Sequence, residues 1–394
     1  MRDDSDLTII PLVLTTGERL PCLVYTATWL PVKLATRWVV SHRRHWVQSA
    51  TLRDNLYALR RLYNWAAHEA QIPLETMLLQ GETLLPRQLE DLGGHLRAAS
   101  RARKVPVVSP NTVNKALYAI EDFLLWAWDH ATYGQPYAQH TGRYMLRFQL
   151  TEALHSLRYP SYPSRRYMPL SDTEVRAIRM TLAPHSQPNG SPVFPKTFSA
   201  TNALRNWLMV ELALELGLRI GELLKLRLDS LPRGTQRLLL VRRYPDDWYD
   251  TRTHEPAVKT AERGLPLSEA LLNTLRAYVT GKPPLGRLAG KSPYLFVTDE
   301  GNALSHGRAN DILRVVSERS GVSPLSWHRF RHTWAERTAV YLLDVPNGLD
   351  QLMYLGGWTN PQSPQRYMQN AIAAQAQAHL SAWQRALYAE EGER

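Results

Sequence analysis

Three stretches in the second half of this 394-residue chain carry side chains whose types and spacing suit chemistry at an anion. Arg219 lies in LGLRIGELLKLRL, between apolar Leu218 and Ile220, where one helical run breaks and another starts. A guanidinium set among apolar residues must be paired or must meet an anion, because burying it uncompensated costs several kcal/mol. Glu222 stands three residues on and shares the helical face, so a local ion pair that only fixes the turn is the simpler reading of those two residues alone. The second stretch, LSWHRFRHTWAERTAV, opens a helix bearing His328, Arg331 and His332. His328 and Arg331 are three apart and project together, setting an acid or base beside a fixed cation. His328 and His332 have the four-residue spacing of a metal pair, but HRFRH lacks the glutamate of the zinc-protease helix and places two arginines beside any cation, so no metal is expected. The third stretch, LMYLGGWTNPQSPQRYMQ, holds Trp358 and, nine residues later, Tyr367. Most of the 18 tyrosines must serve packing. Tyr367 follows Arg366 in a segment with Gly356, Gly357, Pro361 and Pro364, a loop-rich setting that can deliver a side chain to a site.

The elements that must position these residues follow from periodicity. Leu7 to Leu14 and Leu20 to Tyr25, separated by Thr-Thr-Gly-Glu-Arg, predict a short hairpin over residues 1–28. From about Leu30 the period becomes helical. In TLRDNLYALRRLYNWAAHEA the residues Leu52, Leu56, Leu59, Leu62, Tyr63 and Trp65 recur at three and four. A further helix begins after Ser109-Pro110-Asn111 and runs to about Ala131, so residues 29–157 read as an all-helical domain. RYPSYPSRRYMPLSD, with Pro160, Pro163 and Pro169, has the composition of an extended linker over 158–170. Residues 171–394 form a second domain. Ser171-Asp172 caps a helix, and a long apolar helix then breaks at Gly217 into a short one. Residues 237–244, 255–260 and 263–268 predict three strands of a small antiparallel sheet. Helix returns from Glu269 to the end, closing with an Ala-rich helix over about 369–390 whose apolar positions are Ile372, Leu380, Trp383 and Leu387. The fold class is mainly α, with an α+β second domain.

Composition narrows the partners. The formal charge is +11 and the sequence pI about 9.7, which suits a protein that meets a polyanion, although charge alone also serves solubility. Of the 47 cationic residues 39 are Arg and 8 Lys, and the flat guanidinium fork fits phosphate oxygens in pairs. The single Cys22 allows no internal disulfide and no cysteine zinc ribbon. The acidic opening MRDDSDLTIIPLVL does not read as a signal peptide, and no apolar run approaches the ~20 residues of a membrane span. A cytoplasmic, nucleoid-associated location is expected. No G-x-x-x-x-G-K-[ST] loop and no acidic cluster for two metals is present, so neither nucleotide nor metal cofactor is expected.

The order of the motifs is more specific than any one of them. G-L-R-x-x-E, a lysine in a β-hairpin, H-x-x-R, then G-G-W and a tyrosine nine residues later resembles the catalytic domain of the tyrosine recombinase (phage integrase) family over about residues 165–385. The helical segment before it resembles the family's core-binding domain, and GGWTN resembles the Cre-type variant with tryptophan in place of the commoner histidine. The resemblance implies a site-specific DNA recombinase that cuts and rejoins strands through a 3′-phosphotyrosyl bond without ATP. It makes Arg219 and Arg331 the clamp on the scissile phosphate, Lys259 the general acid for the departing 5′ oxygen, and His328 an aid to proton transfer or phosphate binding. Trp358 becomes an indole N–H donor to the phosphate, Glu222 the residue that orients Arg219, and Tyr367 the nucleophile. It further implies double-stranded DNA gripped by both domains and a homotetramer on two sites, joined through the C-terminal helix. Arg53, Arg60, Arg61, Arg101, Arg103 and Lys104 are the DNA-contact candidates of the helical domain. A type IB topoisomerase-like relaxing enzyme shares the nucleophile chemistry, but the two-domain layout and the C-terminal helix argue for the recombinase. A DNA-binding relative without catalysis is disfavoured by the joint presence of Arg219, His328, Arg331 and Tyr367.

Overall fold

The computed structural model describes residues 6–98, 107–133, 140–160, 168–183, 185–186, 192–193, 198, 200–234, 236–281, 287 and 292–391. Two compact units result, Met1–Arg165 and Arg166–Arg394.

The first unit starts with β1 (Leu7–Val13) and β2 (Arg19–Tyr25), an antiparallel pair with Leu7 opposite Tyr25. Helices α1 (Lys33–Trp38), α2 (Ser49–His68), α3 (Leu74–Leu79), α4 (Pro86–Arg97), α5 (Pro110–Thr132) and α6 (His140–Ser156) follow. The Ser109 hydroxyl accepts from the Thr112 amide at 3.3 Å, so the predicted cap starts α5, where Pro110 needs no hydrogen-bond partner. One core holds the apolar stripe of α2 (Leu52, Leu56, Leu59, Leu62), the α5 residues Leu117, Ile120 and Phe123, and Leu7, Leu20 and Leu23 of the hairpin. Of the candidate DNA contacts, Arg53, Arg60 and Arg61 are half-buried on α2. Arg61 donates to the carbonyls of His95, Leu96 and Ala98, which closes the C-terminal end of α4. Arg101, Arg103 and Lys104 lie outside the described residues, as does the middle of the proline-rich segment.

The second unit contains α7 (Asp172–Leu182), a two-residue ribbon of β3 (His185–Ser186) and β4 (Pro192–Val193), α8 (Ala200–Leu216) and α9 (Ile220–Lys225). A second ribbon pairs β5 (Leu238–Val241) with β6 (Arg263–Pro266), and α10 (Glu269–Thr280), α11 (His306–Ser320), α12 (Trp327–Tyr341), α13 (Gly348–Gly356) and α14 (Gln362–Glu391) complete it. Ser171 and Glu174 form the reciprocal box that starts α7. The main core gathers Ile178 of α7, Leu208 and Leu212 of α8, Leu223 of α9, Leu239 and Leu265 of the ribbon, Leu275 of α10, Val316 of α11 and Phe330 of α12. A smaller cluster joins α12, α13 and α14 through Trp334, Ala339, Leu352, Tyr367 and Ala371. Among the described residues no helix is long and apolar enough to cross a membrane.

Two expectations change. EPAVKT is not a strand, and residues 255–260 run as irregular chain between β5 and β6. Pro256 offers no ladder N–H, and side chains hold this stretch instead. The Lys225 ammonium, buried, donates to the Tyr244 carbonyl at 2.8 Å and to the Glu255 carboxylate, and lies 3.6 Å from Asp250. Arg252 grips Asp250 with two donors at 2.8 and 2.7 Å and the Leu224 and Leu304 carbonyls at 3.0 and 2.9 Å. The second change concerns Tyr367, which stands on α14 and not on a loop, because the helix begins at Gln362, ahead of the expected 369. Pro364 falls in the first turn, where a missing N–H breaks no helical bond.

Candidate active site

Arg219 occupies the turn between α8 and α9. Gly217 ends α8 with φ +63°, and an added Cβ there would meet the Trp334 ring at 2.1 Å, so only glycine fits this approach. Glu222, three residues on, accepts the Arg219 amide at 2.8 Å, which fixes the start of α9. The same carboxylate accepts from Arg263 of β6 at 2.9 and 3.3 Å and from the Thr260 hydroxyl. The Arg219–Glu222 relation is therefore a backbone bond, while the charge partner of Glu222 is Arg263. Burial alone would raise the Glu222 carboxyl. The charge of Arg263, its hydrogen bonds, Arg331 and Thr260 outweigh that and hold the carboxyl below its ordinary value.

Arg331 is 1% exposed, on the inner face of α12. Its two terminal nitrogens donate to the Gly217 carbonyl at 2.8 Å and the Gly356 carbonyl at 2.6 Å, so one guanidinium ties the end of α8 to the end of α13. The Trp358 ring lies over it, 4.4 Å from the guanidinium carbon to the ring centre. A Cβ on Gly356 would stand 1.9 Å from that ring, so the glycine is what lets the indole lie there. Burial first, then the charges of Arg219 and Arg263, push the Arg331 guanidinium down to about 9, with Glu222 opposing. Arginine does not give up its proton for this, so the strain is electrostatic and is relieved by an arriving anion. Arg219 is lowered as well, by burial before any charge, and its Nη1 is buried with no hydrogen-bond partner. Arg219, Arg263 and Arg331 face one carboxylate, Glu222. This group therefore carries a surplus of positive charge and an unsatisfied donor, chemistry that suits an anion.

Tyr367 is 8% exposed, its ring packed in the small cluster at 5.8 Å from Trp358. Its hydroxyl is 2.6 Å from Nδ1 of His332. Burial raises the phenol above its ordinary value in spite of Arg331, Arg366 and Arg219, so it rests protonated. His328 presents an exposed edge and meets His332 edge to face at 4.3 Å. Burial, then Arg331 and Arg219, lower its imidazole. Lys259 is exposed on the irregular stretch next to Thr260, whose hydroxyl binds Glu222. Lys225, the neighbouring lysine in sequence, is buried among carboxylates.

The sequence-predicted residues thus gather around one seat: Arg219, Glu222, Arg331, Trp358 and Tyr367 are linked by contacts, His328 joins through His332, and Lys259 flanks Thr260. Sequence reasoning missed three partners. Thr260 and Arg263 are 38 and 41 residues from Glu222, with no local pattern to pair them. His332 was visible in HRFRH as half of an unconvincing metal pair, but nothing in the sequence joins it to Tyr367, 35 residues away. Among the described residues no cluster of potential metal ligands forms.

Residues 194–373, which hold every one of the seven predicted site residues, match the sequence model of the phage integrase family. Among curated proteins none matches the chain. Solved structures with the same fold include the Tn1549 transposon integrase in complex with transposon right-end DNA, 15% identical over 88% of this chain and 98% of that one, with a TM-score of 0.54. The same integrase in complex with circular intermediate DNA is 15% identical over 87% and 98%, with a TM-score of 0.52. Residues 194–373 of the second unit thus form a phage integrase family domain.

Proposed function

We propose that this chain is a site-specific DNA recombinase that cleaves and rejoins strands through a phosphotyrosyl bond at Tyr367. The observation that carries the reading is the juxtaposition of a buried, protonated tyrosine with two guanidiniums, Arg219 and Arg331, one of which has a buried donor without a partner. Arg219 and Arg331 bind the nonbridging oxygens, where negative charge grows as phosphorus becomes pentavalent, and fixed donors stabilise that charge without reorganising. Glu222 keeps Arg219 and Arg263 in register. Trp358 offers an indole N–H from above Arg331, a donor with no acid–base capacity. Lys259, exposed beside Thr260, protonates the departing 5′ oxygen. His328 assists at the phosphate. Because phosphodiester and phosphotyrosine are comparable in energy, strand exchange needs no nucleotide.

Double-stranded DNA is the partner, in keeping with the +11 charge and with the DNA complexes of the similarly folded integrase. The homotetramer rests on α14. Every residue from Ile372 to Leu387 is exposed, and Ile372, Leu380, Trp383 and Leu387 present apolar surface on the part of α14 beyond its buried Tyr367 and Ala371. Docked on a neighbouring protomer, these side chains would be covered.

The test is covalent capture. Full-length protein is incubated with duplexes of randomised core sequence, detergent-resistant adducts are recovered, and the enriched sequence is placed twice on one plasmid. Recovery of adducts and exchange between the two copies is expected. Relaxation without exchange would point to a topoisomerase-like enzyme, and no adduct from any duplex would overturn the reading.

A further inference from the structure

Resting on the recombinase reading, we infer that His332 is the general base for Tyr367. Its Nδ1 takes the phenolic proton as Oη attacks phosphorus. The Oη–H bond breaks and the proton passes to Nδ1, the Oη electron pair forms the bond to phosphorus, the bond from phosphorus to O5′ breaks, and O5′ receives a proton from Lys259. In the rejoining direction the 5′-hydroxyl attacks, and His332 returns its proton to the leaving tyrosine.

Geometry carries the assignment. Oη and Nδ1 stand 2.6 Å apart, with the two rings 5.7 Å apart centre to centre. His328, one helical turn earlier, packs edge-on against His332 at 4.3 Å, and its imidazole feels both Arg331 and Arg219, the residues assigned to the phosphate. The two histidines therefore divide the work: His328 faces the phosphate and His332 the nucleophile.

The electrostatics agree. A phenol raised by burial cannot ionise unaided at neutral pH and needs an acceptor. Burial, His328, Arg331 and Arg366 push the His332 imidazole down to about 4, so it is neutral and able to accept. The charged and titratable groups around it include His328, Arg331 and Glu336 of α12 and Arg366 and Tyr367 of α14, with Arg219 reaching Tyr367 from the α8–α9 turn. A phosphate between Arg219 and Arg331 offsets two of these cations and makes the imidazole more basic when the proton must move.

The test uses full-length His332→Ala and His332→Asn on a captured duplex nicked next to the scissile phosphate, so that the short strand is lost and the adduct accumulates. Both variants are expected to retain wild-type DNA affinity and to form adduct about 10²-fold more slowly. The acidic limb of the wild-type rate profile should be absent in His332→Asn, which keeps an acceptor oxygen but takes no proton. DNA with a sulfur in place of O5′, whose leaving group needs no proton, should restore Lys259→Ala and leave both His332 variants slow. A folded His332 variant that reacts at the wild-type rate, or one restored by the sulfur substrate, would overturn the assignment. Absence of adduct with the wild-type protein would instead count against the recombinase reading.

Discussion

Glu222 shows how one carboxylate organises several cations. Its two oxygens take Arg263, Thr260 and the Arg219 amide, and removing its charge would leave the buried Arg263 guanidinium uncompensated. Glu222→Gln is therefore expected to lower the free energy of unfolding by about 3–5 kcal/mol in denaturant titration, the usual cost of breaking a buried pair from one side. His332 gives a signed pH effect. Its folded value, about 4, lies below the ordinary 6.5, so between these values the unfolded chain binds a proton that the native state does not. Stability must then fall as the pH drops from about 6.5 to about 4 and level off below, with His328 adding in the same direction. The thermal midpoint of the wild type should decline through this window, and that of His332→Asn should decline less. Arg219, Arg331 and Tyr367, the residues proposed for the chemistry, were legible in the sequence because each sits in a short motif of fixed spacing. Arg263, Thr260 and the His332–Tyr367 bond were not, since only the folded chain brings positions 35 to 41 residues apart together.

At the scale of elements, periodicity located the helices and their caps well, from Ser109 to Ser171 and the break at Gly217. It misread residues 255–260, because alternation of apolar and polar residues does not reveal that charged side chains hold a segment. The buried Lys225 does this, tying the end of α9 to Tyr244, Asp250 and Glu255 and so placing the stretch that ends at Lys259 and Thr260. Lys225→Met is expected to cost about 3–5 kcal/mol. Adding Glu255→Gln should recover part of that loss, and a double-mutant cycle by urea unfolding measures the coupling. In the single variant adduct formation should slow together with stability, because the Lys259 stretch loses its anchor. Helix α14 was foreseen, but its start was placed too late. Proline read as a loop signal at 364 is equally a first-turn residue, and the difference moves Tyr367 from a flexible segment to a packed helix face.

For the whole molecule, the net charge and the exposed end of α14 set the expectations. Trp383→Asp is expected to leave the affinity of one protomer for its DNA unchanged while abolishing higher-order complexes on two sites, read by native mass measurement of the DNA complexes. Retention of those complexes would exclude α14 as the bridge. The charge that in the sequence served solubility and polyanion binding alike acquires a focus in Arg219, Arg263 and Arg331, gathered against one carboxylate.

Tyr367 is the side chain expected to become bonded to DNA phosphorus. Full-length protein trapped on the nicked duplex, digested with protease and nuclease, and mapped by mass spectrometry should yield one nucleotide-bearing peptide with the modification on Tyr367, absent from Tyr367→Phe. An adduct on another residue, or an equal yield from Tyr367→Phe, would exclude Tyr367 as the nucleophile.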